Sequence, residues 1–343
     1  MLGEMQILPD GTVVNKVDLA IRRLKAFEPE EGYFVAFSAG KDSQCIYHLC
    51  KLGGVKFDAH YTVTSVDPPE LIRFLRKNYP DVSFDIPHDK DGKPITMWSL
   101  IASHTLPPTR KVRYCCASLK EPGGKGRIVV TGVRWAESAR RKATHGVVGF
   151  QGKKKGTIKK AEELGADYKL NKYGEVIMND DNDENRKMVE SCYRTRKTMV
   201  NPIVDWSDEE VWEFLNDWVK VEHCSLYDEG FKRLGCIGCP LAGSKNMIRD
   251  FERWPKYKEL YIKAFQRMID NHPGQIKILK SEYQEQQREI AEKLGKEFLG
   301  VAEDLSVQER AGGGYSGYGS THIGDTSPTA RTLFLRWVAA GAT

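Results

Sequence analysis

The sequence predicts an α/β protein built on a doubly wound parallel sheet, with a charged insertion and a helical C-terminal extension. Three observations carry this. Short apolar runs of about four to eight residues alternate with amphipathic helical stretches through the first part of the chain. The first buried run, Phe34–Phe37, ends in a glycine-containing turn that opens directly into a helix, as a parallel strand does in a doubly wound fold. The chain has 343 residues, 40% hydrophobic and 29% charged, enough to bury a core without disulfides.

The elements follow in order. Residues 15–27 put Val17, Ile21, Leu24 and Phe27 on one helical face. Phe34–Phe37 reads as a buried strand, and 43–52 as a helix stopped by Gly53. Residues 57–64 form the next strand. Residues 68–79 form a helix whose prolines stand at its start, where a missing N–H costs nothing. Strand 82–88, helix 94–104 and strand 127–134 continue the alternation, and 198–204 supplies another strand. Between about 142 and 197 the pattern weakens around Lys153-Lys154-Lys155 and the acidic run from Asn179 to Glu184; this is expected to be a solvated surface insertion carrying a β-hairpin. Ser207 with Glu210 is a capping box, and Val211, Leu215 and Trp218 line the helix it starts. The expected organisation is a nucleotide-binding domain over 1–245, a charged helical extension over 246–300 and a flexible Gly-rich tail over 301–343, with the apolar piece 332–340 docking back on the body.

Several classes are excluded or disfavoured. No run of about 18 apolar residues occurs, so no membrane helix is expected. The first residues lack the basic stretch and apolar core of a secretory signal, which makes a cytoplasmic location the expectation. A formal net charge of +5 permits an anionic substrate or nucleic acid and demands neither. Eight cysteines without a signal point to metal or redox chemistry before structural disulfides.

Two constellations carry chemistry. The turn Ser38-Ala39-Gly40-Lys41-Asp42-Ser43 joins a strand to a helix start, so backbone N–H groups and the helix dipole converge on an anion site. Ser38 and Ser43 can donate hydroxyls to phosphate, Lys41 adds a full charge, and Asp42 can hold Mg²⁺. The spacing is not that of a Walker A loop. The second constellation is sulfur. Cys236 and Cys239 form a C-x-x-C, Cys224 lies twelve residues before Cys236, and Cys115-Cys116 arrive from far upstream. Four thiolates suit Zn²⁺ or an iron–sulfur cluster, and a metal-free thiol pair is the remaining reading. Cys45 and Cys50 read as core residues.

SAGKDS is similar to the PP-loop of the adenine nucleotide alpha hydrolase-like superfamily, and three further segments in order resemble its phosphoadenosine phosphosulfate (PAPS) reductase family. These are TSVDPPE from Thr64 to Glu70, the stretch Gly132 to Ser138 followed by Arg141, and Asn201-Pro202-Ile203-Val204-Asp205-Trp206. The resemblance covers about residues 15–250 apart from the insertion. It implies an adenine-nucleotide site formed by Phe37, Ser38, Ala39, Gly40, Lys41, Asp42, Ser43, Thr64, Gly132, Arg134, Glu137, Ser138 and Arg141, with Lys41, Asp42 and Arg134 acting on the reacting phosphates. Arg134 and Arg141 could instead simply pair with Glu137; Arg matches phosphate oxygens bidentately, and that reading is preferred. Around Cys115-Cys116 and Cys236–Cys239 the chain also resembles adenylyl sulfate (APS) reductases, which implies a [4Fe–4S] cluster. Related DNA phosphorothioation enzymes imply the set Cys115, Cys224, Cys236 and Cys239. Five cysteines therefore stand for four places, and Cys116 competes with Cys224.

Sulfonucleotide reductases attack with a late, mobile cysteine, and no cysteine follows Cys239 here. The expected reaction is cleavage of ATP, with Mg²⁺, to AMP and pyrophosphate, activating an acceptor for sulfur transfer. The alternatives are APS or PAPS reduction by Cys192 or a partner thiol, and a nucleotide- and cluster-binding subunit of a larger modification or defence complex. The expected partners are an adenine nucleotide and a sulfur donor or reductant protein, with nucleic acid among the candidate acceptors; no membrane partner is expected, and a homo-oligomer is.

Overall fold

The computed structural model describes residues 1–8, 10–151, 154–195, 197–276 and 329–340. The Gly-rich tail as far as 328, the helical extension beyond 276 and Lys153 of the lysine run lie outside them. The chain divides into two compact units: one comprises residues 1–62, 69–85 and 123–234, the other 63–68, 86–122 and 235–343.

The first unit contains the sheet. Its strands are β1 (Gln6–Ile7), β2 (Val13–Val14), β3 (Tyr33–Ala36), β4 (Phe57–Thr62), β5 (Ser83–Asp85), β6 (Ile128–Val130), β7 (Val148–Gln151), β8 (Lys169–Leu170), β9 (Val176–Met178) and β10 (Lys197–Val200). β1 and β2 form a separate antiparallel pair, and the other eight form one sheet in the order β5-β4-β3-β6-β10-β7-β9-β8. β5, β4, β3, β6 and β10 run parallel, with Val35 opposite both Ala59 and Val130. The apolar runs read from the sequence are these strands. Val35, Val130 and Val200 are fully buried, as strands covered on both faces require.

The sheet grows from β3 in both directions: to β4 and β5 on one side, to β6 on the other. The ends of β3 and β6 therefore flank the point where strand order reverses, the place at which open α/β sheets in general take their ligands. The turn from Ser38 to Ser43 follows β3, and the segment Thr131–Arg134 follows β6.

The helices, numbered along the chain, are α1 (Lys16–Ala26), α2 (Lys41–Gly53), α3 (Pro69–Asn78), α4 (Met97–Ser103), α5 (Tyr114–Leu119), α6 (Ala139–Thr144), α7 (Lys154–Leu164), α8 (Asp183–Cys192), α9 (Asp208–Glu213), α10 (Ser244–Arg253), α11 (Pro255–Asn271) and α12 (Ala330–Ala340). Asn15 caps α1 through the Asp18 N–H, and the Ser207–Glu210 capping box opens α9 as expected. α2 stops one residue later than the sequence suggested. Gly54, at φ +65°, turns its N–H back to the carbonyls of Cys50 and Lys51.

The stretch 142–197 differs from the expected surface hairpin. β7 pairs antiparallel with β10, and β9 and β8 follow, so the segment lengthens the main sheet by three strands. The reason is burial. Val148 and Val176 are fully buried and Phe150 and Met178 nearly so, which gives the segment an apolar core that its flanking charges obscure.

In the second unit, α10, α11 and α12 pack around an aromatic cluster. The Phe251 and Phe334 rings are 5.0 Å apart, those of Tyr261 and Trp337 4.8 Å, and Trp337 Nε1 donates to the Pro108 carbonyl at 2.6 Å. The apolar piece near the C-terminus thus docks on α10 and α11. Among the described residues, no helix is long and apolar enough to cross a membrane.

Candidate functional site

Two side-chain groups stand out, one in each unit. In the first, the phosphate-type turn is held by its own hydroxyls. Ser38 N donates to Ser43 Oγ at 3.2 Å, and Ser43 Oγ donates to the Gly40 carbonyl at 2.9 Å. Ala39 takes φ +57°, the left-handed conformation that the turn demands and that a side chain disfavours. Phe37 is core, its ring 4.7 Å from Tyr79 and 5.4 Å from Tyr47. Gly132 explains its own identity, because a Cβ there would lie 2.9 Å from the backbone of Asp42. The end of β6 therefore presses against the first turn of α2.

That contact brings two cations together. Lys41 Nζ donates to Asp208 Oδ1 at 2.8 Å and lies 3.5 Å from Asp42 Oδ1. Arg134 donates through Nε to Asp42 Oδ1 at 2.7 Å, through one terminal nitrogen to Asp208 Oδ1 at 2.6 Å and through the other to the Trp206 carbonyl at 3.2 Å. The Arg134 side chain is 1% exposed and that of Lys41 6%, whereas Asp208 is 64% exposed. Two buried cations are thus covered by one solvent-facing carboxylate. Burial opposes the Arg134 charge, but Asp42 and Asp208 more than offset it and hold the guanidinium protonated. The Lys41 ammonium, followed by Arg134, keeps Asp208 below the ordinary carboxylate range.

Glu137 is nearly buried, forms ion pairs with Arg141 and Arg233, each at 3.3 Å, and accepts a hydrogen bond from the Arg134 N–H at 3.2 Å. Burial lowers the pKa of Arg141, and Arg233 and Arg134 add like-charge repulsion. Ser138 caps α6 through the Arg141 N–H. Asn201 is structural: its amide donates to the Gly146 carbonyl at 2.8 Å and its carbonyl accepts from the Thr131 hydroxyl. Of the residues expected around a nucleotide, Ser38 to Ser43, Gly132, Arg134, Glu137, Ser138 and Arg141 thus share the first unit. Asp208, Tyr227 and Arg233 were not picked out from the sequence, although Asp208 follows a recognisable cap.

In the second unit, Cys115 and Cys116 open α5, and the turn carrying Cys236 and Cys239 leads into α10. Each of these four thiols is half-buried. They interact electrostatically: Cys115 feels Cys116, Cys236 and Cys239, and Cys239 feels Cys236 and Cys116. The tandem pair shares a hydrogen bond that pushes Cys115 up and Cys116 down, and Arg113 also favours the Cys116 thiolate. The charge of Cys236, and then Asp67, raises Lys120. Thr64 lies in this unit, where its hydroxyl accepts from Cys236 Sγ at 3.7 Å. The C-x-x-C turn is fixed by Gly238 at φ +69°, whose N–H donates to Asp250 Oδ2 at 3.1 Å. Cys224 belongs to the first unit. It is fully buried there, its pKa is raised by that burial, and the nearby charges are Glu70, Glu229 and Asp228.

A single tetrahedral ion with Zn–S bonds of about 2.3 Å needs sulfurs within about 4 Å of one another. Among the described residues, no three His, Cys, Asp or Glu side chains are gathered tightly enough to hold one ion. Four thiols from two segments, with Lys120 and Arg113 to balance thiolate charge, are the donor type that either Zn²⁺ or an iron–sulfur cluster takes.

A stretch of 73 residues is 39% identical to the uncharacterized protein MJ0973 of Methanocaldococcus jannaschii, and covers 21% of this chain and 15% of that relative. A family model described as the phosphoadenosine phosphosulfate reductase domain matches residues 32–242. That span begins at the strand that feeds the phosphate-type turn and closes just past the C-x-x-C, taking in more than half of the sequence, and the chain belongs to this family.

Proposed function

We propose that the chain cleaves ATP between its α and β phosphates, activates an acceptor oxygen as an adenylate, and so prepares it for sulfur transfer. The observation that carries this reading is the pair of buried cations, Lys41 and Arg134, at the first turn of α2, screened by the exposed carboxylate of Asp208. Buried cations need counter-charges. A polyphosphate can supply them in place of Asp208 at little cost, because that carboxylate is already mostly in water.

In the proposed reaction the acceptor oxygen bonds to the α phosphorus as the bond to the bridging oxygen breaks, and pyrophosphate leaves. Lys41 and Arg134 neutralise the charge that grows on the leaving group, and the loop N–H groups orient it. Asp42, which now pairs with Arg134 and Lys41, would take the Mg²⁺ that accompanies ATP. Arg141 and Arg233, gathered by Glu137, extend the cationic surface beside them. A persulfide on a partner protein then displaces AMP, and a second thiol frees the sulfurated acceptor, leaving the carrier as a disulfide.

We further propose that Cys115, Cys116, Cys236 and Cys239 hold a [4Fe–4S] cluster. Such a cluster supplies redox and Lewis-acid character when bound. Lys120 and Arg113 stabilise the thiolates that it requires. Cys224, fully buried among carboxylates in the first unit, is assigned to that unit's core. Serine at any of the four positions is expected to remove most of the iron and acid-labile sulfide from anaerobically purified protein, and Cys224→Ser is expected to retain both. Full iron in Cys116→Ser together with loss in Cys224→Ser would reverse the assignment.

Reduction of a sulfonucleotide by an internal thiol is disfavoured by Cys192. It is 3% exposed on α8 and bonded to Met188 and Ser191, whereas a reductase nucleophile must be accessible and mobile. The test is to supply ATP, APS and PAPS in parallel to the anaerobically purified protein, with candidate oxygen acceptors and a thiol. Pyrophosphate and AMP formed in equal amounts from ATP are expected. Sulfite from APS or PAPS, with no pyrophosphate from ATP, would replace this reading with sulfonucleotide reduction.

A further inference from the structure

Tyr227 has no part in the chemistry above, yet it touches the turn that the nucleotide would use. It closes the short 3₁₀ turn Ser225–Tyr227 in the first unit. Its ring is held edge-on by Trp212, with centroids 5.0 Å apart at 89°, and by His223 at 6.1 Å and 70°. Its phenol oxygen accepts the Lys41 backbone N–H at 2.9 Å. Lys41 is the first residue of α2, and its N-cap, Gly40, offers no side-chain cap. This N–H is therefore one of the unpaired first-turn donors that a helix presents to an anion. A Cβ on Gly40 would stand 3.5 Å from the phenol oxygen, so the hydroxyl lies directly on the turn.

The hydroxyl has spare capacity. Burial raises its pKa well above the usual phenol value, so it keeps its proton. A phenol both donates and accepts. Here it accepts from Lys41, and among the described residues no acceptor takes its own hydrogen. An oxygen bound at the remaining N–H groups of the turn would be a near neighbour of that hydrogen.

We propose that Tyr227 is a phosphate-binding residue, which donates its phenolic hydrogen to an oxygen of the pyrophosphate portion of the ligand while its oxygen fixes the Lys41 amide. The proposal rests on the phosphate-loop reading given above. It adds a neutral donor to a site otherwise made of charges and backbone. Such a donor contributes a directed hydrogen bond rather than net charge.

The experiment is calorimetric titration of the full chain and of Tyr227→Phe with inorganic pyrophosphate and with MgATP, alongside urea unfolding of both free proteins. Phenylalanine keeps the ring beside Trp212 and His223. Pyrophosphate affinity is expected to fall about tenfold or more, the usual loss for a hydrogen bond to a charged group, with little change in the unfolding midpoint. Equal affinity overturns the proposal. Tighter binding also overturns it, because the phenol would then be a plug that the ligand must displace. If the wild-type chain binds neither ligand, the phosphate-loop reading falls first and takes this one with it. Should Tyr227→Phe unfold, 3-fluorotyrosine at position 227 decides instead. A more acidic phenol donates more strongly, so binding should tighten about twofold, and unchanged or weaker binding overturns the assignment.

Discussion

Arg134→Met is expected to weaken pyrophosphate and MgATP binding by about a hundredfold and to destabilise the free chain by about 3 kcal/mol. Both effects come from one side chain. The guanidinium is 1% exposed and serves three acceptors at once: Asp42, Asp208 and the Trp206 carbonyl. Removing one partner of a buried pair costs about 3–5 kcal/mol when the other is left without water. The lower end applies here, because Asp208 is largely solvated, Asp42 partly so, and Lys41 remains beside both. Methionine fills much of the volume of the arginine stem, which limits the packing loss. The binding loss has a separate origin. Two charge-assisted hydrogen bonds to phosphate, worth about 1.5 kcal/mol or more each, disappear with the guanidinium. Urea unfolding and pyrophosphate titration of the same preparation separate the two effects. A variant that loses stability but binds pyrophosphate normally would show that Arg134 is only a brace for the turn, and the proposed ATP chemistry would lose its second cation.

The parallel half of the sheet was legible because each strand is an apolar run ended by a recognisable turn or helix start. Phe34 to Phe37 followed by a glycine turn could scarcely have been another element. The antiparallel half was not. β9 is three residues long and β8 two, and the charges around them outweigh the apolar signal in any window long enough to average. Only the pairing of β7 with β10 shows that the segment belongs to the sheet. The site divides along the same line. The turn from Ser38 to Ser43 is local, so its composition shows its shape. Arg134 meets Asp42 and Asp208, which lie 92 and 74 residues away along the chain, and its local neighbour Glu137 takes only its backbone N–H. Sequence spacing could suggest the Glu137 contact and had no means of suggesting the other two. Tyr227 gives no such local signal either, because its role depends on a bond to a turn 186 residues away. The sequence leaves the choice between Cys116 and Cys224 open for a similar reason. Spacing counts thiols, and it does not tell that Cys224 is fully buried while Cys116 is half-buried.

Gly238→Ala is expected to cost about 3 kcal/mol, on the order of 6–12 °C in the unfolding temperature of a unit of this size, and, under the cluster proposal above, to lower the iron content of anaerobically purified protein. Two penalties act together. Gly238 holds φ +69°, where a side chain costs about 1–2 kcal/mol. The added Cβ would also stand 2.4 Å from Cζ of Phe251 and 3.0 Å from the next ring carbon, so one of the two must move. Phe251 is poorly able to yield. It is 1% exposed and wedged against Phe334 at 5.0 Å, Tyr261 at 5.6 Å and Trp337 at 6.2 Å. Overpacking a site of this kind costs a further 1–3 kcal/mol or so. If the turn moves instead, the bond from the Gly238 N–H to Asp250 lengthens and Cys236 and Cys239 leave their positions, which is why iron should fall with stability. The chain supplies its own control. Gly235 lies one residue before the same motif, does not take positive φ, and would meet nothing within 4 Å of an added Cβ. Gly235→Ala should therefore unfold within about 0.5 kcal/mol of the parent and keep its iron. Matching behaviour of the two alanine variants, whether both harmless or both depleted, would mean that the ring of Phe251 does not set the conformation of the C-x-x-C turn.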